Sequence, residues 1–335
     1  MLLLHPALIF LGGLVVIVVG SEMVLRGASR IATLLRIRPI VIGLTVVSVG
    51  TSMPELGVGI AAAAEGRGVL AVGNIAGTNI FNILFILGLS AALRPLPLHR
   101  LSIRLDAPAM IATALALLIM AWDGMLSRGE GIFLLAAAVG YTIAVVHMSR
   151  HEPIAVRREF AEEYGSDGPK SLPEAALPQN RLGHGIWNGF LLLVGMAVTV
   201  LGAELLVSSA ASIAKAYGVS DAFIGLTIVA LGTSAPELAT TLVATIKNDR
   251  DVAIGNLIGS GIYNVLAILG LTCVLSPGGV DVSRDILLID LPLAAAVAVV
   301  CYPVFKSERL VSRREGIAFV SVYVAYFGSL LYLRH

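Results

Sequence analysis

Apolar residues fill this chain in long runs separated by short polar stretches. Ten runs stand out, at 5–25, 39–63, 69–93, 104–122, 130–148, 186–213, 222–246, 251–275, 286–305 and 314–333. A hydrocarbon core about 30 Å thick takes about 20 apolar residues as a helix, so each run predicts a membrane span. In lipid the backbone must satisfy its own polar groups, and the period-two alternation of a membrane barrel is absent. The spans are therefore predicted as helices. The chain is apolar from residue 2, without the basic stretch of a cleaved signal peptide, and the first run is read as a span.

Composition agrees with the pattern. Only 13% of the 335 residues are charged, about half of what a soluble domain carries. That excludes a soluble enzyme and a disordered chain, and the length of the apolar pattern excludes a single anchor. A net charge of +1 gives no reason to expect a nucleic-acid partner. The lipid bilayer is the expected partner, and no obligate protein partner is evident. Cys273 and Cys301 lie in separate apolar runs and make no metal-spaced cluster. No cofactor is expected.

Loop charge orients the chain. With the N-terminus outside, 18 Lys and Arg fall in inside loops and 5 outside, so both termini are expected to face out of the inner (plasma) membrane. The long loop 149–185 is polar and holds Pro153, Pro169, Pro173 and Pro178. It reads as a cytoplasmic linker between two membrane halves, 1–148 and 186–335.

The two halves resemble each other. Residues 43–90 and 225–272 align without gaps at an offset of 182, with 22 of 48 positions identical. Shared positions include polar residues, Gly and Pro, which chance likeness between apolar helices does not explain. The match extends to Gly20 with Gly202, Glu22 with Glu204, and, after a two-residue slip, Asp106 with Asp290. Each half is a unit of five helices, and five is odd. Consecutive copies must then cross the membrane in opposite directions. The expected fold class is an all-α polytopic membrane protein, ten transmembrane helices as two inverted five-helix repeats. Such repeats are a hallmark of secondary transporters, with the substrate site near the midplane at their interface.

Each repeat carries GTS-x-PE in mid-span, Gly50 to Glu55 and Gly232 to Glu237. Pro54 and Pro236 lack a backbone donor and clash with the carbonyl four residues earlier, so each helix should break there and free carbonyls nearby, including those of Ser48 and Ala230. Broken backbone at membrane depth is tolerated only where it is buried or lines a cavity. Carbonyls, hydroxyls and carboxylates are hard donors suited to Ca²⁺, Na⁺ and Mg²⁺. Glu55 and Glu237 have no basic residue within the neighbouring turns, and an unpaired intramembrane carboxylate costs about 2.5–3.5 kcal/mol or more. A cation between the two would neutralise both. The other reading is a protonated pair that ties helices together, which leaves the two Pro breaks without a purpose.

A second motif accompanies the first. Asn74, Thr78 and Asn82 follow one another at i, i+4 and i+8, and Asn256, Ser260 and Asn264 repeat the stripe. Gly73, Gly77, Gly255 and Gly259 give small-x-x-x-small faces for close packing. Asn74 and Asn256 serve equally well as interhelical glue or as site lining, whereas Thr78, Asn82, Ser260 and Asn264 are read as lining or ligating an ion. Glu22 precedes Arg26 by four residues, an interfacial pair, while Glu204 has no such neighbour. Asp106 and Asp290 stand before Pro and are expected to cap helices.

At these residues the chain resembles the Ca²⁺/cation antiporter superfamily, most closely its prokaryotic sodium/calcium exchanger-like members. The resemblance covers the whole membrane part, and the doubled motifs are specific to that family. It implies an antiporter rather than an enzyme, with Ca²⁺ and Na⁺ as transported ions. It implies that Glu55 and Glu237 hold Ca²⁺, with the carbonyls of Ser48 and Ala230 and with Thr51 and Thr233 beside them. It implies Na⁺ sites at Ser52, Ser234, Thr78 and Ser260, and matches Asn82 to a family amide. Asn264 departs from members with Asp there, which removes a carboxylate. Ca²⁺/H⁺ exchange at the same site is the alternative. A cation channel and an intramembrane enzyme are further classes. The absence of H-E-x-x-H and of a plausible Ser/His pair argues against the enzyme.

Overall fold

A computed structural model describes residues 4–35, 37, 39–98, 102–150, 181–218, 228 and 230–333. Nearly all of them are helical. The helices are α1 (Leu4–Leu35), α2 (Pro39–Thr51), α3 (Met53–Ala64), α4 (Gly68–Leu93), α5 (Ser102–Asp123), α6 (Arg128–Arg150), α7 (Arg181–Ala216), α8 (Ala235–Ile246), α9 (Arg250–Leu275), α10 (Ile286–Ser307) and α11 (Arg313–Leu333). A short turn, Ala230–Gly232, precedes α8. Seven helices among the described residues are long and apolar enough to cross a membrane, and the bent pair α2–α3 makes an eighth. The predicted span 222–246 lies partly outside the described residues, which retain α8 and the turn before it. The linker is shorter at both ends than expected. Helix α6 runs to Arg150 and α7 starts at Arg181, and 151–180 lie outside the described residues.

The exterior is apolar, as lipid requires. Ile119, Phe133, Trp187 and Leu288 are exposed on different helices, a surface that would be an interaction patch on a soluble protein. The polar side chains that matter are inside. Ser48, Thr51, Ser52, Glu55, Ser234, Glu237, Ser260 and Asn264 are buried.

Helices α1 and α7 lie against each other and run in opposite directions. Gly13 faces Leu206, Gly20 faces Thr199 and Gly27 faces Leu192. A methyl group on Gly20 would stand 2.5 Å from the Thr199 nitrogen, and one on Gly202 would stand 2.5 Å from the Ile17 nitrogen. Only residues without a Cβ let the two backbones come this close.

Two small antiparallel ribbons join loops of the two halves. Strand β1 (Leu96–Pro97) pairs with β4 (Leu310–Val311), and β2 (Met125–Leu126) pairs with β3 (Val280–Asp281). Helices α6 and α11 start with the same capping box. The Ser127 N–H and hydroxyl donate to Glu130 at 2.7 and 2.8 Å, and the Ser312 N–H and hydroxyl donate to Glu315 at 2.8 and 2.7 Å.

Asp106 and Asp290 are not side-chain caps, contrary to the sequence reading. Each accepts a hydrogen bond from a tyrosine of the next helix, Tyr141 to Asp106 at 3.0 Å and Tyr326 to Asp290 at 3.2 Å. Both carboxylates close a π-helical turn, Ser102–Asp106 and Ile286–Asp290. There the chain is already wound, so the backbone offers no open helix start to cap.

Candidate functional site

The break expected at GTS-x-PE is present in both halves. Ser52 has φ −83° and ψ 13°, Ser234 has φ −87° and ψ 7°, and both mark the start of a helix with Pro in its first turn. The axes of α2 and α3 differ by 43°. Proline has no N–H to give and is suited to a first turn, so the same residue that ends one helix starts the next. Glu55 and Glu237 thereby sit in the first turns of α3 and α8, where the helix dipole favours negative charge.

The two motifs meet across the halves. The Ser52 hydroxyl donates to Glu237 Oε1 at 2.9 Å, and the Ser234 hydroxyl donates to Glu55 Oε1 at 3.4 Å. Thr51 also lies on Glu237, and Thr233 on Glu55. Because each serine bonds the other half's carboxylate, both carboxylates lie in one cluster. Both are fully buried, and Oε2 of each has no hydrogen-bond partner. Buried carboxylate oxygens without a donor are costly. Two of them aimed into one polar cluster ask for a cation.

Helix α4 joins this cluster through Thr78, and α4 and α9 carry the other candidates, Asn82, Ser260 and Asn264. The Ser234 hydroxyl lies 3.3 Å from that of Thr78. Ser260 Oγ, Asn264 Oδ1 and both amide atoms of Asn82 are buried without partners. Both asparagines fall on π-helical stretches, Phe81–Leu87 and Asn264–Leu269. The α-helical turns that carry Thr78 and Ser260 lead directly into these wider turns.

Some expectations change. The Ser48 carbonyl is not freed, since it accepts from the Ser52 N–H at 3.1 Å and the Thr51 hydroxyl at 3.3 Å. The clash with Pro54 falls on Gly50, two residues later. The Ser48 hydroxyl donates to the Gly43 carbonyl of its own helix at 2.6 Å and lies against α9, 3.3 Å from the Gly255 carbonyl and 3.1 Å from that of Asn256. Gly255 and Gly259 make room for this contact, because a Cβ on Gly259 would collide with Ser48 Oγ. Ala230 is placed as the first residue of its helical turn, and its side chain lies outside the described residues. Asn256 acts as glue, accepting from Thr51 at 3.1 Å and donating to Thr241 at 3.1 Å. Its counterpart Asn74 has an unpartnered buried Nδ2, because Gly59 stands where Thr241 stands in the second half.

Glu22 pairs with Arg26 at 2.7 Å as expected and also with Lys247, a contact the sequence did not suggest. Glu204 lies on the wall of an apolar cleft of about 800 Å³ beside Val49, Gly50 and Met53. The sequence reading also missed Thr240, whose buried hydroxyl lies one turn after Glu237 without a partner. Its only signal was a run of hydroxyls that the first repeat lacks.

Comparison with known proteins identifies the family. The profile of the family described as "Sodium/calcium exchanger protein" matches residues 5–147 and 187–332. The chain belongs to the sodium/calcium exchanger family. It is 30% identical over 350 residues to the sodium/calcium exchanger MaX1 of Methanosarcina acetivorans, covering 97% of this chain and 98% of that one. It is 36% identical over 288 residues to the inner membrane protein YrbG of Escherichia coli, covering 85% of each. Among solved structures it resembles the sodium-calcium exchanger NCX_Mj soaked with Na⁺ and Sr²⁺, with a TM-score of 0.80, 26% identity and coverage of 97% of this chain and 98% of that one. This exchanger is a multi-pass membrane antiporter of the prokaryotic kind. It is not an enzyme, and the ions of its family are cargo rather than cofactors.

Proposed function

We propose that this exchanger moves Ca²⁺ out of the cell in return for Na⁺, by alternating access to one site between Glu55 and Glu237. The observation that carries the reading is the reciprocal pair of bonds, Ser52 to Glu237 and Ser234 to Glu55, which leaves one bare oxygen on each carboxylate. Two carboxylates match the charge of one Ca²⁺. The hydroxyls of Thr51 and Thr233 stand beside Ca²⁺, those of Ser52, Ser234, Thr78 and Ser260 are neutral hard donors suited to Na⁺ when it replaces Ca²⁺, and the amide oxygens of Asn82 and Asn264 are hard donors open to either ion. The Ser48 and Ala230 carbonyls complete the set, the former when the Thr51 hydroxyl donates its one proton to Asn256 instead and leaves a lone pair open. The names of MaX1 and NCX_Mj, both sodium/calcium exchangers, support the choice of ions.

The same reading takes the chain as ten transmembrane helices in two inverted repeats, 1–148 and 186–335, joined by the linker 149–185. Strand pairing supports the inversion. β1 and β2 lie at opposite ends of α5, and β3 pairs with β2. β3 is the counterpart of β1 at an offset of 184, so counterpart loops lie on opposite membrane faces. The end with β1 and β4 gathers Arg94, Arg104, Lys306, Arg309, Arg313 and Arg314, which supports its placement in the cytoplasm and both termini outside. The name of the inner membrane protein YrbG supports the inner membrane as location.

Ca²⁺ uptake into Na⁺-loaded vesicles, with Na⁺, K⁺ and H⁺ gradients varied one at a time, tests the reading. Uptake should follow the outward Na⁺ gradient and vanish in Glu55→Gln and in Glu237→Gln. Wild-type exchange in either variant overturns the site, and uptake driven by a pH gradient alone replaces Na⁺ with H⁺ as the coupling ion.

A further inference from the structure

We propose that Asn79 is a positioning residue that turns the amide of Asn264 so that its oxygen, and not its nitrogen, is presented to the transported cation. The inference rests on the reading that Asn264 lines the ion site. Asn79 lies between Thr78 and Asn82 on α4, where its own side chain is not one of the ion donors named above.

The geometry fixes both amides in sequence. The Gly261 carbonyl can only accept a hydrogen bond. The Asn79 atom that faces it at 3.1 Å is therefore Nδ2. This turns Asn79 Oδ1 toward Asn264, and an oxygen there requires a donor. Asn264 Nδ2 supplies it at 3.2 Å. Asn264 Oδ1 then points away from Asn79, buried and without any hydrogen-bond partner. A cation binds the oxygen of an amide and is repelled by its NH₂ group, so an amide turned the other way would oppose binding.

The two halves differ at this point. The counterpart of Asn79 at the offset of 182 is Gly261, the residue whose backbone receives the bond. Asn82, the counterpart of Asn264, accordingly has no orienting amide, and both of its polar atoms lack partners. A carboxylate at position 264 would have two equivalent oxygens and need no orientation. An amide has one, and Asn79 supplies the constraint that an amide needs.

The test uses the full-length protein in lipid vesicles and measures the KM and maximal rate of Na⁺-driven Ca²⁺ uptake. Asn79→Ala is made in the wild-type chain and in Asn264→Asp. In the wild-type chain the KM for Ca²⁺ should rise by about tenfold, the worth of one hydrogen bond, with the maximal rate within about twofold. In Asn264→Asp the same change should move KM by less than about twofold, because no amide remains to be oriented. An equal rise in both backgrounds assigns Asn79 to helix packing and overturns the proposal, as does an unchanged KM in the wild-type chain. Asn264→Ala separates the two levels of the argument. If it leaves KM unchanged, Asn264 is not in the site and the proposal falls with that reading. If it raises KM while Asn79→Ala does not, only the orienting role falls. Should Asn79→Ala fail to assemble, Asn79→Ser keeps a polar group and removes the amide. Thermal stabilisation of that variant by Ca²⁺ in detergent then reads the same affinity without transport.

Discussion

Glu55 and Glu237 show how little of a site's identity resides in the charged residues alone. Each carboxylate takes a donor from the opposite half and keeps one bare oxygen. Motif spacing made these residues, and Ser52, Ser234, Thr78 and Ser260, legible in the sequence, because the repeat displays them twice. Asn79 was not legible, since its counterpart is Gly261 and self-similarity passes over a residue present once. The Ser48 carbonyl was misjudged because the proline rule names the acceptor four residues back, which is Gly50, and says nothing of Ser48. The hydroxyls should divide by ion. Ser52 donates a hydrogen bond to Glu237 from the first half, and it stands among the neutral donors suited to Na⁺. Ser52→Ala should raise the KM for Na⁺ by about tenfold and that for Ca²⁺ by no more than about threefold, the loss of one neutral donor. Uptake rates against each ion in turn check this, and an equal effect on both ions would remove Ser52 from the Na⁺ role.

At the scale of the helix, apolar runs located the seven or eight span candidates among the described residues but placed their ends poorly. The first run ends near residue 25, yet α1 continues to Leu35. Hydropathy stops where lipid stops, while a helix continues as long as its backbone bonds and charge pairs allow. The i, i+4 pair of Glu22 and Arg26 lies on that continuation. The tyrosine ties of α5 and α10 were also hidden, because Tyr141 and Tyr326 sit inside apolar runs and read as core. Tyr141→Phe leaves the buried Asp106 without its donor and should destabilise the protein by about 1–3 kcal/mol, measured as a lower thermal midpoint in detergent. The α1–α7 contact leads to a different expectation. Its glycines bring the backbones together where any side chain would force them apart, and this pair lies outside the GTS-x-PE and GN-x-x-G motifs. If α1 and α7 slide against the helices that hold the site, Gly20→Val or Gly202→Val should slow exchange by more than about tenfold through overpacking. Ca²⁺ should still raise the thermal midpoint, because the site itself is untouched. Loss of that stabilisation together with transport would place the defect in folding or binding and not in the sliding pair.

For the whole molecule, symmetry and charge together make a prediction that neither makes alone. On the proposed inversion of the halves, one site opens to either face with similar energy, since each half can take the other's conformation. The charge carried at each opening then depends on what fills the site. Among the described residues the carboxylates of the cluster are Glu55 and Glu237, and position 264 holds an amide. One Ca²⁺ makes the loaded site neutral. Three Na⁺ make it +1, and two Na⁺ leave it neutral. A membrane potential acts on a translocated unit charge with about 2.3 kcal/mol per 100 mV, so the first case predicts voltage-dependent exchange and the second does not. Ca²⁺ uptake into Na⁺-loaded vesicles should therefore quicken when a K⁺ diffusion potential makes the interior positive, since net positive charge leaves with Na⁺. Asn264→Asp adds a third carboxylate. With that residue ionised, the same three Na⁺ would cross as a neutral load and the Ca²⁺-loaded site would carry −1. The net charge moved per cycle is set by the ions alone, so the potential should still drive the variant. Its voltage-sensitive step should shift from the Na⁺-loaded to the Ca²⁺-loaded transition. Rates measured with each ion saturating in turn distinguish the two, and exchange indifferent to potential in the wild-type chain would reduce the Na⁺ count to two.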